Sequence, residues 1–483
     1  MGGISSILNI MREAMMVQQK AMQVTSHNIA NADTPGYTRQ RVVFESNPVL
    51  FNNRLKLGLG VKVAEVVQAF DRFTTQSIQQ RTSALSEFES KKSVLDFLQA
   101  VLNEGDGSGL TQSLEEFWNA WGDLSNNPGG LLERTILLKK ATTLSQRFRF
   151  LYNQLIQMKN EMSGNLNIGL QELNTLTEEV ASLNGKIVAA EAGGTRANDL
   201  RDQRNTLIEK ISQFTDIQTL EMENGSVTVI TASGMALVDG VQSFSLLQAG
   251  EEIHWNEIAT DIRDRLSGGK IGAWLDLRDE ILPQYMANLD ELAGTLIYQV
   301  NQLHFNGYAL DGSTGKTFFI PNPGDDYVAG IPAISFSGAA GAIALSSDVE
   351  GIPQNIAASS AAGGSGNNEN ALAILGLQDR IVDIRKWIYE RGSAPSSQVH
   401  SLTLDDYYTI LVGDMGLLAE EIDQGRDFEA SLINQLNEVR DSISGVNLDE
   451  EMVNLMKYQH AFEAASKVIA TCDAMMRELM EIR

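Results

Sequence analysis

Asn28-Ile29-Ala30-Asn31-Ala32-Asp33-Thr34-Pro35-Gly36-Tyr37 marks the point where a long helical pattern stops and an extended one begins. Pro35-Gly36 suits the two central positions of a type II turn, because proline presets φ at the first and glycine accepts a positive φ at the second. Taken alone, the segment is a helix stop and an ordinary connection. Upstream, Ile4, Leu8, Met11, Met15, Gln18, Met22, Thr25 and Ile29 alternate at spacings of four and three, which places them on one helical stripe. Downstream, Gln40-Arg41-Val42-Val43-Phe44 can pair as a strand.

The far end of the chain mirrors the near end. Leu448, Met452, Leu455, Gln459, Phe462, Ser466, Ile469, Asp473, Met476 and Met480 form a second stripe, beside a row running Ala461, Ala465, Val468, Cys472, Met475 and Leu479. Asn447 followed by Glu450 reads as a capping box for this last helix, and Asp449 suits its positive end. Two such stripes can bury themselves against each other and against the same helices of neighbouring copies. The candidate assembly faces are therefore Ile4, Leu8, Met11, Met15, Met22 and Ile29 on one helix, and Leu448, Met452, Leu455, Phe462, Ile469, Met476 and Met480 on the other. Polar residues at Gln18, Thr25, Gln459, Ser466 and Asp473 interrupt the stripes, so both ends are expected to be weakly ordered in a free subunit and to fold on incorporation.

Between the ends, helical periodicity covers Arg72 to Leu102 and Leu131 to Ala190, where Leu166, Leu173, Val180 and Ile187 recur every seven residues. Clusters at Asn103 to Gly109 and Asn126 to Gly130 punctuate these helices. Leu277 to Phe305 and a stretch from Leu411 to Ile443 read as further helices. From Ile217 to Leu247 short alternating runs follow Asn224-Gly225, a strong hairpin signal. Gly307 to Gly366 is rich in Gly, Ala, Ser and Pro and predicts short strands and loops. The expected architecture is mainly α with inserted β, an elongated multidomain chain whose terminal helices pair as a coiled-coil-like rod. Residues 1–45 and 447–483 would form the terminal helical domain. Residues 46–214, 271–306 and 367–446 would form a helical rod domain, and residues 215–270 and 307–366 a central β-rich outer domain.

Composition narrows the function classes. At 483 residues the chain exceeds a single core, and its 43% hydrophobic and 20% charged residues are ordinary for folded domains. A formal net charge of −25 repels a phosphate backbone, so nucleic acid is not an expected partner. No apolar run reaches the roughly 18 residues of a membrane span, and Met1 to Val17 lacks the basic start and apolar core of a cleaved signal. Cys472, the single cysteine, excludes an intramolecular disulfide and reads as a small buried hydrophobe.

Chemistry-bearing patterns are scarce. His27, His254, His304, His400 and His460 are scattered without metal-ligand spacing. No phosphate loop, nucleophile elbow or paired redox cysteine occurs. Glu115-Glu116 and Asp405-Asp406 are adjacent and diverge on a helix, which does not suit shared acid and base work. No catalytic, cofactor or metal site is predicted. Trp118 and Trp121 lie three apart on one helical face and read as core, with a partner surface as the alternative. Asp199, Arg201, Asp202 and Arg204 read as a solvated, mutually paired face.

Resemblance adds what composition lacks. The helix followed by Asn28, Asn31, Thr34, Pro35, Gly36, Tyr37 and Arg39 resembles the N-terminal signature of the axial proteins of the bacterial flagellum, its rod, hook and first hook-associated proteins. Phe117-Trp118-Asn119-Ala120-Trp121-Gly122-Asp123-Leu124-Ser125-Asn126-Asn127-Pro128 resembles a stretch of the hook-associated protein 1 family that rod and hook proteins lack. Asn198-Asp199-Leu200-Arg201-Asp202-Gln203-Arg204-Asn205 resembles the Asp-Gln-Arg box of that family, and Gly269-Lys270-Ile271-Gly272 with Asp276-Leu277-Arg278-Asp279 another of its boxes. Ser444 to Glu451, Tyr458-Gln459, Ala461-Phe462 and Ala464 to Ile469 resemble its C-terminal signature. The resemblance implies an extracellular structural subunit of the flagellum at the hook-filament junction, exported without a cleaved signal, with a labile N-terminal region as export signal. It implies self-association in a ring-like layer, hook protein below, a second junction protein and flagellin-side proteins above, and a cytoplasmic export chaperone on the C-terminal helix. It implies neither catalysis nor a cofactor. The competing readings are a rod or hook subunit, which would lack the Trp-rich segment and Asp-Gln-Arg box, and an intracellular coiled-coil adaptor, which leaves Thr34-Pro35-Gly36-Tyr37 unexplained.

Overall fold

Helices carry most of the chain, and β hairpins are inserted between them. The structure, a computed structural model, describes residues 2–47, 50–52, 55–102, 109–256, 258–364 and 366–481. The first helix, α1 (Gly2–Ala30), is followed by the strands β1 (Gln40–Ser46), β2 (Leu50–Asn52), β3 (Leu55–Leu57) and β4 (Val61–Gln68). β1 and β4 pair antiparallel from Gln40 opposite Gln68 to Ser46 opposite Val61, with a register shift at Val43/Phe44. Four helices come next, α2 (Arg72–Leu102), α3 (Leu110–Asn126), α4 (Leu131–Glu191) and α5 (Asn198–Ser212). The 61 residues of α4 make a spine about 90 Å long. The predicted break at Asn126 to Gly130 separates α3 from α4, whereas most of the break expected at Asn103 to Gly109 lies outside the described residues.

A four-stranded antiparallel sheet then runs β5 (Ile217–Glu221), β6 (Val227–Thr231), β7 (Ala236–Asp239) and β8 (Gln242–Ser243) in sequence order. The Asn224-Gly225 turn joins β5 to β6 as its dipeptide predicts, with Gly225 at φ +85°. A three-stranded sheet of β9 (Leu246–Ala249), β10 (Glu252–Trp255) and β11 (Ile258–Asp261) follows. Next come α6 (Gly269–Asp276), a π-helical turn at Leu277–Ile281 and α7 (Leu282–Asn306). Beyond α7 lie the short helices α8 (Ala339–Ala342) and α9 (Glu369–Leu375), the hairpin β12 (Val382–Ile388) and β13 (Ser396–Leu402), and the long helices α10 (Leu404–Ser444) and α11 (Leu448–Glu481).

Two apolar cores share the spine. The first gathers Leu95 and Leu98 of α2, most of α3, α4 from Leu137 to Met162, α7, α9, β12 and the start of α10. The second gathers α4 from Leu166 onward, α5, the β5 to β11 region and α6. The heptad positions Leu166, Leu173, Val180 and Ile187 are all fully or almost fully buried. This partition differs from the expected single outer domain of residues 215–270 and 307–366. The first segment packs in the second core, whereas Phe318, Phe319, Phe336 and Ile343 of the second segment pack in the first. Among the described residues of 307–366 there are only short helical turns and isolated bridges, and a few aromatic anchors rather than periodic faces attach them, which periodicity does not register.

The hairpin at 382–402 also departs from the expected helical rod domain. Its β12 edge is closed by side chains of α7: Trp387 N–H donates to Asn288 Oδ1 at 2.7 Å, Asn288 Nδ2 donates to Trp387 O at 3.2 Å, and Tyr389 N–H donates to Gln284 Oε1 at 3.2 Å. Amide side chains thus satisfy backbone groups that a third strand would otherwise take.

Candidate assembly site and its joint

The segment that stops α1 is a joint rather than an ordinary connection. Gly36 sits at φ +78°, and a Cβ there would meet Thr206 Oγ1 of α5 at 2.4 Å, so the turn is seated directly on that helix. Asn28, 1% exposed, is the hub. Its Oδ1 accepts from Tyr37 Oη at 2.7 Å and Gln40 N–H at 3.0 Å, and its Nδ2 donates to Gln40 O at 2.8 Å and Glu451 Oε2 at 3.1 Å. His27 Nδ1 lies 3.1 Å from the same Tyr37 oxygen, and Asn31 Nδ2 donates back to His27 O. Thr34, Pro35 and Gly36 form the exposed tip of the turn. Arg39 completes the joint from β1's side, donating to both Glu450 and Glu451 while its N–H donates to Ser444 O. Glu450 is therefore engaged by Arg39, and the predicted capping box is one-sided: Asn447 Oδ1 accepts from Asp449 and Glu450 N–H, but the reciprocal bond from Glu450 is absent among the described residues.

The Asp-Gln-Arg box lies against this joint, and the expectation of a solvated face is corrected. Asn198, Asp202 and Arg204 are buried. Asp202 Oδ2 accepts from Thr38 N–H at 3.0 Å and its Oδ1 from Gln68 Nε2 at 2.7 Å, while Gln40 Nε2 donates to Asp199 Oδ1 at 2.8 Å. Asn198 Nδ2 donates to Val66 O and Gln40 Oε1. Burial, with Asp199 nearby, pushes the Asp202 carboxyl up to about 6, against the opposing hydrogen bonds. Burial first, and then Asp199, Asp202 and Glu451, raise the Tyr37 phenol above its ordinary range, which keeps it a donor to Asn28. On the opposite side of α5, Arg201 binds Glu191 and Glu221, and Arg204 binds Asn184 Oδ1 and Gly225 O. A cleft of about 690 Å³ opens beside the turn, lined by Tyr37, Pro35, Lys186, Gln203 and their neighbours. Sequence periodicity missed this burial because the partners of Asn198, Asp199 and Asp202 come from the segment that runs from Thr38 to Gln68, more than a hundred residues away, and those of Arg201 and Arg204 from α4 and the β5–β6 hairpin.

The terminal helices α1 and α11 pack along each other, antiparallel, because the last turn of α1 meets the first turn of α11 through Asn28 and Glu451. The seam is offset from the predicted stripes. On α11 the deeply buried positions are Glu451, Ala465 and Cys472, alternating with half-buried Leu455, Phe462, Ile469 and Met476. The shared positions are as expected, but Gln459, Ser466 and Asp473 face solvent and interrupt nothing. On α1 the deepest residues are Val17, Ala21, Val24, Thr25 and Asn28. The predicted residues Ile4, Leu8, Met11, Met15, Met22 and Ile29 flank that seam and are half-buried. Small residues at the contact let the backbones approach, leaving larger ones to its sides. Leu448, Met452 and Met480 are 49%, 56% and 72% exposed, and Met16, Val453, Met456 and Met475 are also open to solvent.

Trp118 and Trp121 are fully buried, with Phe117 to Trp118 centroids at 4.9 Å and Trp121 to Phe318 at 5.4 Å. Among the described residues no group of three or more His, Cys, Asp or Glu is placed to hold a metal ion, and no helix is long and apolar enough to cross a membrane.

Comparison with known proteins agrees with this anatomy segment by segment. Residues 95–319 match the helical domain of flagellar hook-associated protein FlgK. Residues 8–38 match the flagella basal body rod protein family, and residues 440–482 the C-terminal family of the flagellar basal body rod FlgEFG proteins. The chain is 27% identical to flagellar hook-associated protein 1 of Bacillus subtilis over 98% of its own length and 97% of that protein. It is 23% identical to the protein of the same name from Salmonella typhimurium, over 99% and 100%. The fold superposes on the flagellar hook junction protein FlgK of Burkholderia pseudomallei with a TM-score of 0.64 at 15% identity, covering 76% of this chain and all of that one. With rod-family matches at both ends, the match to the hook-associated helical domain between them and relatives matched from end to end, the chain is similar along its whole length to flagellar hook-associated protein 1.

Proposed function

We propose that the chain is a structural, non-catalytic subunit of the bacterial flagellum that builds the hook-filament junction and is needed for filament assembly. The observation that carries this reading is the end-to-end similarity to proteins named flagellar hook-associated protein 1. The match of residues 95–319 to the hook-associated helical domain favours the junction over a rod or hook subunit, whose families match only the ends. The paired termini support the mechanism. Apolar residues flanking the α1–α11 seam remain half or largely exposed, and neighbouring copies placed around an axis would cover them, giving a ring-like layer. Hook protein would lie below this layer, with the second junction protein and flagellin-side proteins above. The same exposed Met and Leu residues of α11 would engage a cytoplasmic export chaperone before assembly, and export would proceed through the flagellar apparatus without a cleaved signal.

The test is electron microscopy of a strain lacking the gene, with an immunoblot of the medium for flagellin. Hooks without filaments, and flagellin lost to the medium, are expected. Missing hooks or rods would transfer the chain to the rod or hook class, and normal flagella would end the proposal.

A further inference from the structure

Four arginines converge on one cleft of a chain whose formal net charge is −25. The cleft, about 290 Å³, is bordered by Arg72 at the start of α2, Arg196 just before α5, and Arg201 and Arg204 on α5. Three carboxylates stand among them. Glu221 accepts from Arg72 Nη2 at 2.7 Å and from Arg201, Glu191 accepts from Arg201 Nε and Nη2 at 2.7 and 2.8 Å, and Glu65 lies 3.3 Å from Arg196 Nε. Each carboxylate is thus committed to a neighbour of Arg204. Arg204 itself is 2% exposed. Its hydrogen bonds run to two neutral acceptors, Asn184 Oδ1 at 3.0 Å and Gly225 O at 2.7 Å, and its Nε has no acceptor among the described residues.

A guanidinium buried without a direct ion pair is costly, and burial first, then Arg201, lower the Arg204 pKa to about 10 against the attraction of Glu221 and Glu191. An anion in the cleft would supply the direct ion partner that Arg204 lacks among its hydrogen bonds. The planar fork of a guanidinium matches the paired oxygens of a carboxylate or phosphate. The cleft admits one such group and its stem and is too small for an extended polyanion. We propose that this cleft binds a small oxyanion, a carboxylate or phosphate group, with Arg204 as its buried anchor and Arg72 and Arg196 as its rim. Two sources offer this chemistry: a free anion, and an acidic side chain of a neighbouring copy, abundant on a chain with 62 Asp and Glu residues.

The experiment follows thermal unfolding of the full chain against inorganic phosphate, with ionic strength held constant by sodium chloride. A saturable rise in Tm of about 2 °C is expected. In the Arg72→Gln/Arg196→Gln double variant, whose side chains are half-exposed in the wild type, the half-saturating phosphate concentration should rise at least tenfold. Phosphorus-31 line broadening on the wild-type chain gives a reading that needs no variant. No saturable broadening, or the same Tm response in both proteins, would overturn the site. Sedimentation velocity over the same titration separates the sources. Phosphate that disperses associated chains marks the acidic side chain of a second copy as the occupant, and phosphate that binds without changing association marks a free anion.

Discussion

The Trp118 cluster and the α1–α11 pair are both helix packings, yet they are finished to different degrees. Around Trp118, aromatic and aliphatic residues from α3, α4, α7 and the 318–358 segment exclude water on every side. The terminal pair closes one narrow seam of small residues and leaves Met452, Met456 and Met480 facing solvent. The body is therefore stabilised within one chain, whereas the terminal pair keeps apolar side chains exposed to solvent. Between the two regions stands a polar joint, in which hydrogen bonds from Asn28, Arg39 and Asp202 set the geometry that apolar contact alone would leave loose.

Truncating the body should have the largest effect. Trp118→Ala is expected to destabilise the chain by about 3–5 kcal/mol, read as a lower midpoint in denaturant unfolding; a loss below 1 kcal/mol would show that the cluster is less tightly packed than the buried rings indicate. Asn28→Ala removes four hydrogen bonds and strands buried partners, at a cost of about 2–4 kcal/mol. That loss should stay local: limited proteolysis would release the terminal helices early while the body retains its melting temperature. Simultaneous loss of both would erase the distinction between joint and body.

The joint should also respond to pH. The Asp202 carboxyl is raised to about 6 in the folded chain from 3.8, so the folded state holds its proton more tightly. Its contribution is fully present below about pH 4 and is lost as pH rises through 6. Asp202→Asn cannot lose that proton, so the stability of the variant relative to wild type should rise by about 2–3 kcal/mol between pH 4 and 7. Urea midpoints measured across that range decide it, and a flat difference would refute the assignment. The smallest effect on the free subunit is expected from Met452→Ser/Met480→Ser, within about 0.5 kcal/mol of wild type. Filament assembly in cells should nevertheless fail or slow, and a variant that assembles normally would remove these residues from the interface.

The terminal helices, the Pro35-Gly36 turn and the Asn224-Gly225 hairpin were legible because each is a local pattern whose physics spans a few residues. The seam of the terminal pair was legible only to within one residue. Two adjacent heptad rows, one through Met15 and Met22 and one through Val17 and Ala21, satisfy the same periodicity, and hydrophobicity alone favours the larger side chains. The partner helix favoured the smaller ones, which permit closer approach. In the same way, Arg201 and Arg204 carry the charge pattern of an exposed helix face, and only the arrival of Glu191, Glu221 and the Gly225 turn buries them.

What the sequence determined by itself is the helical class, the positions of the main stops and turns, and the family signature at both ends, since all of these depend on neighbours along the chain. The tertiary structure alone decided which core residues 307–366 join, which face of each terminal helix is sealed, and how the Asn28 segment and the Asp-Gln-Arg box meet at one joint. Those choices rest on contacts between residues hundreds of positions apart, such as Asn28 with Glu451, and no local periodicity encodes the partner that such a contact requires.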